Sequence, residues 1–446
     1  MINSIDNDGN RFRYLGWFTY LSYAAVFAAG FWAIDHTPFA SSYFEQDSIV
    51  AESENRTADR IETVNTITAP VRICLGLFGM AFLLFPTRTK LNWGGFLFVL
   101  LVGYVLYLGA TALWSVNPQI STQKFLVLCF FSAAAFGIAR QLRVDEMALI
   151  FSVICIFYIV LGLVAEILLG NFVPHTRYYR FVGTCHPNSL AVYGSFCCLV
   201  AIVYFNQRKG FNRLLVLIFI IGIVTLIMTK SRTTLAGFCL AAMATLFITF
   251  KPNNRVLAIS SSVMVFILMG FVLTLSRGDV RADVATKLAM GRTSDVTTLT
   301  GRLPLWELLV ESIDEKPWTG YGYLAYWDKE RIEYLSDQLR WEIPHGHNMY
   351  LDVTLDGGYV GLGFFILILG FAWLLSAYQT IWYLDRDMAL VFGFLSFAIV
   401  HGFAESLFKL PTFLLFMLIC LLLRMCFEPS RIKSNESDSG AMELAP

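Results

Sequence analysis

Four short stretches hold the side chains best suited to chemistry. Lys230-Ser231-Arg232-Thr233, Thr300-Gly301-Arg302 and Arg177-Tyr178-Tyr179-Arg180 bring cationic groups, and His345-Gly346-His347-Asn348 brings two imidazoles. The planar fork of arginine matches phosphate oxygens. An imidazole can take a proton from a nucleophile near neutral pH. Residues of these types suit a site that grips an anionic phosphate group and activates a hydroxyl. The histidine pair also suggests metal, but no acidic or third histidine ligand lies nearby at a recognisable spacing, so no metal is expected. Glu166 and Glu405 sit within or beside apolar runs, where a carboxylate is costly without a partner. Either could orient an arginine or a histidine; Glu405, close to His401 and Lys409, could equally be an ion-paired cap.

The surrounding residues suggest a sugar. Tyr178, Tyr179 and Phe181 mix aromatic faces with arginine donors ahead of a helix expected to start at Pro187-Asn188. Trp114, Trp318, Tyr321, Tyr323, Tyr326, Trp327 and Trp341 add to that supply, although aromatic belts at membrane borders account for many such residues. Thr300 to Trp306 opens an amphipathic helix with Trp306, Leu309, Val310 and Ile313 on one face, and Pro304 suits its first turn. Arg302 stands at the entry of that helix, where backbone N–H groups also attract anions. The plain alternatives are an interfacial helix lying on lipid and arginines that snorkel to headgroups.

These residues need a scaffold, and the composition says which kind. The chain has 446 residues, is 57% hydrophobic and 15% aromatic, and has a mean hydropathy of +0.61. Soluble domains average about 45–50% apolar, so this is an all-α, polytopic integral membrane protein. A spanning helix needs about 20 mostly apolar residues. Such runs fall near 14–34, 70–86, 93–113, 120–139, 147–169, 187–206, 214–229, 234–250, 256–275, 357–378, 388–403 and 411–427, about twelve helices. Basic residues in alternate short loops (Arg88/Lys90, Arg140/Arg143, Arg208/Lys209/Arg213, Lys251/Arg255) place both termini in the cytoplasm. The segment 276–356 then forms a large, partly helical outer loop between the ninth and tenth helices, inserted in a single membrane domain. Arg177, Arg180, Arg232, Arg292 and Arg302 lie on that outer face, where the rule disfavours them, and a shared anionic ligand would explain all of them. Zero net charge and a pI near 7.0 give no sign of nucleic acid. The nine cysteines lie mostly in apolar runs without zinc or CxxC spacing. The first apolar run is expected to be a span, not a cleaved signal.

In these residues the chain resembles the O-antigen ligase/polymerase superfamily of bacterial membrane glycosyltransferases. The matching elements are Trp114-Ser115-Val116-Asn117-Pro118, Gly183…Pro187-Asn188, Ser231-Arg232, Thr300-Gly301-Arg302…Trp306, Gly320-Tyr321-Gly322 and His347-Asn348…Gly358…Gly361. The Thr-Gly-Arg…Trp and Gly-Tyr-Gly elements are similar to the exopolysaccharide-polymerase branch. The resemblance implies transfer of a glycan from a polyprenyl-diphosphate carrier to an acceptor sugar hydroxyl at the periplasmic face of the bacterial inner membrane, with no cofactor or metal. It implies His347 as general base and Arg232 and Arg302 on the diphosphate. Arg180, Arg177, Asn188, Arg292, Trp306, Tyr321, His345, Asn348 and Glu405 are expected on the substrates. Expected partners are the lipid-linked oligosaccharide, an acceptor glycan, membrane lipid, a chain-length regulator and export machinery. An O-antigen ligase acting on lipid A-core is the nearest alternative, and a transporter of lipid-linked glycan a more distant one.

Overall fold

The computed structural model describes residues 25–31, 70–84, 90–92, 95–176, 179–205, 212–249, 302–341, 343–406 and 412–427. The expected helix at 256–275, Arg177, Arg292, Thr300-Gly301, Lys409 and the outer loop 35–69 lie outside the described residues. The described residues are helical, joined by turns and loops, with one isolated bridge between Leu91 and Phe427. In chain order the helices are α1 (25–31), α2 (Pro70–Ala81), α3 (Phe96–Ala110), α4 (Pro118–Gln141), α5 (Val144–Leu168), α6 (Pro187–Tyr204) and α7 (Asn212–Met228). They continue with α8 (Arg232–Thr249), α9 (Arg302–Glu315), α10 (Lys329–Leu339), α11 (Met349–Tyr383), α12 (Arg386–His401) and α13 (Phe413–Met425). Among the described residues six helices are long and apolar enough to cross a membrane, which makes this a multi-pass membrane protein.

Local chemistry sets the helix starts. Asn117 accepts from the Ile120 amide at 3.1 Å ahead of Pro118, so α4 begins with a cap and a residue that needs no N–H partner. His186 does the same for α6, its Nδ1 accepting from Asn188 N at 3.2 Å ahead of Pro187. Helices α6 and α7 cross at a pair of glycines. A Cβ on Gly194 would meet the Gly222 carbonyl oxygen at 2.7 Å, so a side chain at either position would push the helices apart.

The tenth expected span begins earlier than its hydropathy suggested. Asp352, Thr354 and Asp356 made 349–356 look like loop, yet Asn348 caps a helix that starts at Met349 and kinks at Gly358. The kink frees backbone groups, and the 317–322 segment satisfies them. Tyr321 N donates to Leu355 O at 2.7 Å, Gly322 N to Asp356 O at 3.0 Å, and Tyr359 N to Pro317 O at 2.7 Å. Tyr107 Oη takes up the Gly357 carbonyl at 2.6 Å. Trp114, Ser115, Val116 and Ser121 in turn bond the backbone of 319–323, so the short motif after α3 fastens the same segment. Gly358 has φ +62°, and a Cβ there would lie 2.2 Å from the Trp318 carbonyl carbon. Gly358→Ala is therefore expected to cost more than the ~1–3 kcal/mol of ordinary backbone strain, read as loss of monodisperse, cooperatively unfolding protein in detergent.

Between α9 and α11 the chain builds a core of its own. Leu305, Leu309, Ile313, Tyr321, Tyr326, Leu335, Ile343 and Leu355 pack together, apart from the main transmembrane core. The buried face of α9 is Leu305, Leu309, Ser312 and Ile313, while Val310, expected on it, is 45% exposed. That helix packs on α11. Protein, not lipid, covers its apolar stripe.

Candidate active site

One carboxylate brings three of the expected residues together directly and a fourth through one of them. Glu405 sits just beyond α12, its amide donating back to the His401 carbonyl at 3.0 Å, and the residue is 7% exposed. Its Oε1 accepts from Arg302 Nη2 at 2.6 Å and from Asn188 Nδ2; its Oε2 lies 3.2 Å from His347 Nδ1. Arg302 Nη1 also donates to the Ala404 carbonyl. The rest of the Arg302 fork, Nε–H included, has no hydrogen-bond partner among the described residues.

A second layer fixes Asn188. Its Oδ1 accepts from Arg180 Nη2 at 3.0 Å and from the Ser231 hydroxyl at 2.9 Å. Arg180 Nε donates to Thr229 O at 2.8 Å. Ser231 pairs with Thr234, which meets His401 Nε2 at 3.0 Å. Glu166 organises the strand of chain that delivers Arg180: it accepts from Tyr179 Oη at 2.5 Å, Val182 N at 2.7 Å and Gly183 N at 2.8 Å.

The contributors share a structural position. Asn188 lies in the first turn of α6, Ser231 and Arg232 begin α8, Arg302 begins α9, and His347 precedes the Asn348 cap of α11. Three of these helix N-termini thus meet Glu405 through a side chain, and the fourth, that of α8, is joined to it through Asn188. Each carries partial positive charge, although the amides that open α6 and α11 are already taken up by His186, Asn348 and Gly402. The Arg232 side chain makes no hydrogen bond to any described residue. With Arg180 and Arg302 nearby, the local field favours an anion. Burial alone pushes the Glu405 carboxyl up; the His347 hydrogen bond and the charges of Arg302, His347 and His186 outweigh it and hold it at about 2. Burial lowers His186 to about 4, with Glu405 opposing and Arg180 reinforcing the shift, so that imidazole is neutral near pH 7.

The Glu405 value lies below the ordinary 4.5, so its pairing contributes stability in full above that range and loses it as pH falls towards 2. The thermal midpoint of the protein in detergent is expected to drop over this window. Glu405→Gln should flatten that part of the pH dependence.

His345, His347 and Glu405 each offer a ligand atom within 4.8 Å of the others, a three-donor set that sequence spacing did not reveal. By residue type they could hold a zinc-like ion. However, Oε1 is already committed to Arg302 and Asn188, and the converging helix ends oppose a dication. The electrostatics fit an anionic ligand better.

The remaining described candidates have other tasks. Trp306 and Asn348 hold backbone: Trp306 Nε1 donates to Gly346 O at 2.9 Å, and Asn348 Oδ1 caps Tyr350 and Leu351. His345 stacks against His347 with ring centroids 4.1 Å apart, and its Nδ1 accepts the His347 amide. Tyr321 stands in the small core, its hydroxyl bonded to Ser312 O and Glu315 Oε2 at 2.7 Å each. Sequence reading named Ser231 only within the Lys230–Thr233 motif and His401 only as a neighbour of Glu405, and it gave Thr234, His186 and Asp352 no role.

A family model described as O-antigen ligase matches residues 217–366. This chain is similar to the O-antigen ligases. The matched stretch holds Arg232, Arg302, His345 and His347, but not Arg180, Asn188 or Glu405, which the fold brings to them from either side. The chain is also 23% identical, over 337 residues, to the Exopolysaccharide production protein ExoQ of Rhizobium meliloti (strain 1021), covering 70% of this chain and 73% of that protein. Both likenesses agree with the resemblance carried by the Thr-Gly-Arg and His-Asn elements.

Proposed function

We propose that this protein polymerises polysaccharide repeat units at the periplasmic face of the bacterial inner membrane. It moves a glycan from a polyprenyl-diphosphate carrier to the hydroxyl of an acceptor sugar. The observation that carries this reading is the convergence of Arg302, His347, Asn188 and, through Asn188, Arg180 on Glu405 at four helix N-termini. That arrangement suits a leaving group whose negative charge grows as it departs.

The step balances without a further reactant. The acceptor oxygen bonds to the anomeric carbon, the bond from that carbon to the phosphate oxygen breaks, and polyprenyl diphosphate leaves with the electron pair. The acceptor proton passes to His347 Nε2, while Glu405 holds the opposite ring nitrogen and so orients the base. Arg302 and Arg232 receive the diphosphate, and Arg180 with Asn188 borders the donor. Aromatic residues near the 302–348 segment serve the glycan. The scaffold has about twelve spans, cytoplasmic termini and a single membrane domain with 276–356 as its periplasmic insert. A chain-length regulator and export machinery are the expected protein partners.

The test is incubation of the purified protein with polyprenyl-diphosphate-linked oligosaccharide alone. A ladder of longer lipid-linked glycans supports polymerisation. Transfer only after lipid A-core is added would make the protein a ligase. Absence of transfer, with movement of the lipid-linked glycan across a bilayer, would overturn the enzymatic reading.

A further inference from the structure

Asp352 lies in the first turn of α11, and its carboxylate ties the loop just before that helix to two segments farther away in sequence. Oδ1 accepts from Trp327 Nε1 at 3.0 Å and from the Gly346 amide at 3.1 Å; Oδ2 accepts from the Ser406 hydroxyl. Gly346 immediately precedes His347, and Ser406 immediately follows Glu405. An acid in a first turn often does no more than complement its own helix's amides. Here every hydrogen bond comes from another part of the chain.

The His347 loop needs such ties. His347 has φ +47°, a left-handed conformation that a residue with a side chain adopts only when its surroundings impose it. The Gly346 peptide is held on both sides, its N–H by Asp352 and its carbonyl by Trp306. The space is also closed, since a Cβ on Gly346 would meet Asp352 Oδ1 at 2.7 Å.

We propose that Asp352 is a positioning residue that locks the loops carrying His347 and Glu405 against each other. It thereby sets the Nδ1–Oε2 contact before any substrate arrives. The consequence for rate rests on the reading of His347 as base; the consequence for loop geometry does not. A misplacement of about 1 Å at a reacting group can cost on the order of 10²-fold. Asp352→Ala removes all three ties. Asp352→Asn keeps one oxygen for Trp327 and Gly346 and offers an amide to Ser406.

Two readouts on the full-length protein in detergent test this. In the ladder assay Asp352→Ala is expected to lower kcat by about 10²-fold with the donor KM little changed, and Asp352→Asn to recover most of that loss. Independently of activity, modification of His347 by diethyl pyrocarbonate, followed by peptide mass spectrometry, should run several-fold faster in Asp352→Ala. Should that variant fail to fold, Ser406→Ala and Trp327→Phe each cut one tie and are expected to show smaller changes of the same kind. Folded variants with wild-type kcat and wild-type modification rates overturn the proposal. So does a rise in donor KM with kcat unchanged, which would make Asp352 a donor contact. Absence of transfer by the wild type counts against the polymerase reading alone, because the modification rates still read Asp352 directly.

Discussion

Arg302→Ala is expected to reduce ladder formation from lipid-linked oligosaccharide by about 10³-fold, and Arg302→Lys to recover little of it. Removing one preorganised donor to a developing anion costs about 10²–10³-fold, and Arg302 brings a full charge as well. Lysine keeps the charge but not the fork, which here donates from one nitrogen to Ala404 O and from another to Glu405. The substitution also strips a buried carboxylate of its ion-pair partner, and breaking a buried pair costs about 3–5 kcal/mol. A fall in activity could therefore come from misfolding. Arg302→Ala combined with Glu405→Gln separates the two causes. Neutralising the carboxylate should restore the thermal midpoint without restoring the rate. Recovery of activity in the double variant would mean that Arg302 serves only to satisfy Glu405, and would remove it from the diphosphate site.

His347→Ala should lower kcat by about 10²–10⁴-fold, the usual contribution of a positioned general base. Its donor KM should change little, because the proposed contacts to the diphosphate are the arginines. The side chain is 12% exposed and stands outside both hydrophobic cores of the described residues, its contacts being with His345, Trp341 and Glu405, so the fold should survive. Glu405→Gln should produce a milder loss of the same type, since the amide can still meet Nδ1 but no longer stabilises an imidazolium. A His347→Ala protein with unimpaired kcat would end the assignment of the base. His186, neutral and within reach of the same charges, would then be the residue to replace.

Much of this was legible in the residues. Apolar runs gave the helix positions to within a few residues for α3 to α8, because lipid demands about 20 apolar residues in a row and little else imitates that. The Thr-Gly-Arg and His-x-His elements marked Arg302 and His347, since arginine and histidine at the rim of a membrane scaffold are costly without a purpose. Glu405 stood out for the same reason.

What those residues do together was settled by tertiary structure. Glu405 is separated by 58 residues from His347, by 103 from Arg302 and by 217 from Asn188. No local pattern encodes such separations; they follow from helices that pack with four of their N-termini at one place. The kink at Gly358 was equally hidden. It depends on 317–322 supplying partners for backbone groups that a straight helix would have paired internally. Asp352 read as one more polar residue of the 276–356 loop, because its meaning lies wholly in donors from Trp327, Gly346 and Ser406. The sequence determined which groups are available and that the chain around them is built to cross a membrane. Packing decided which of them meet, since a contact between distant segments is won by the burial of whole helices and not by the few side chains that use it.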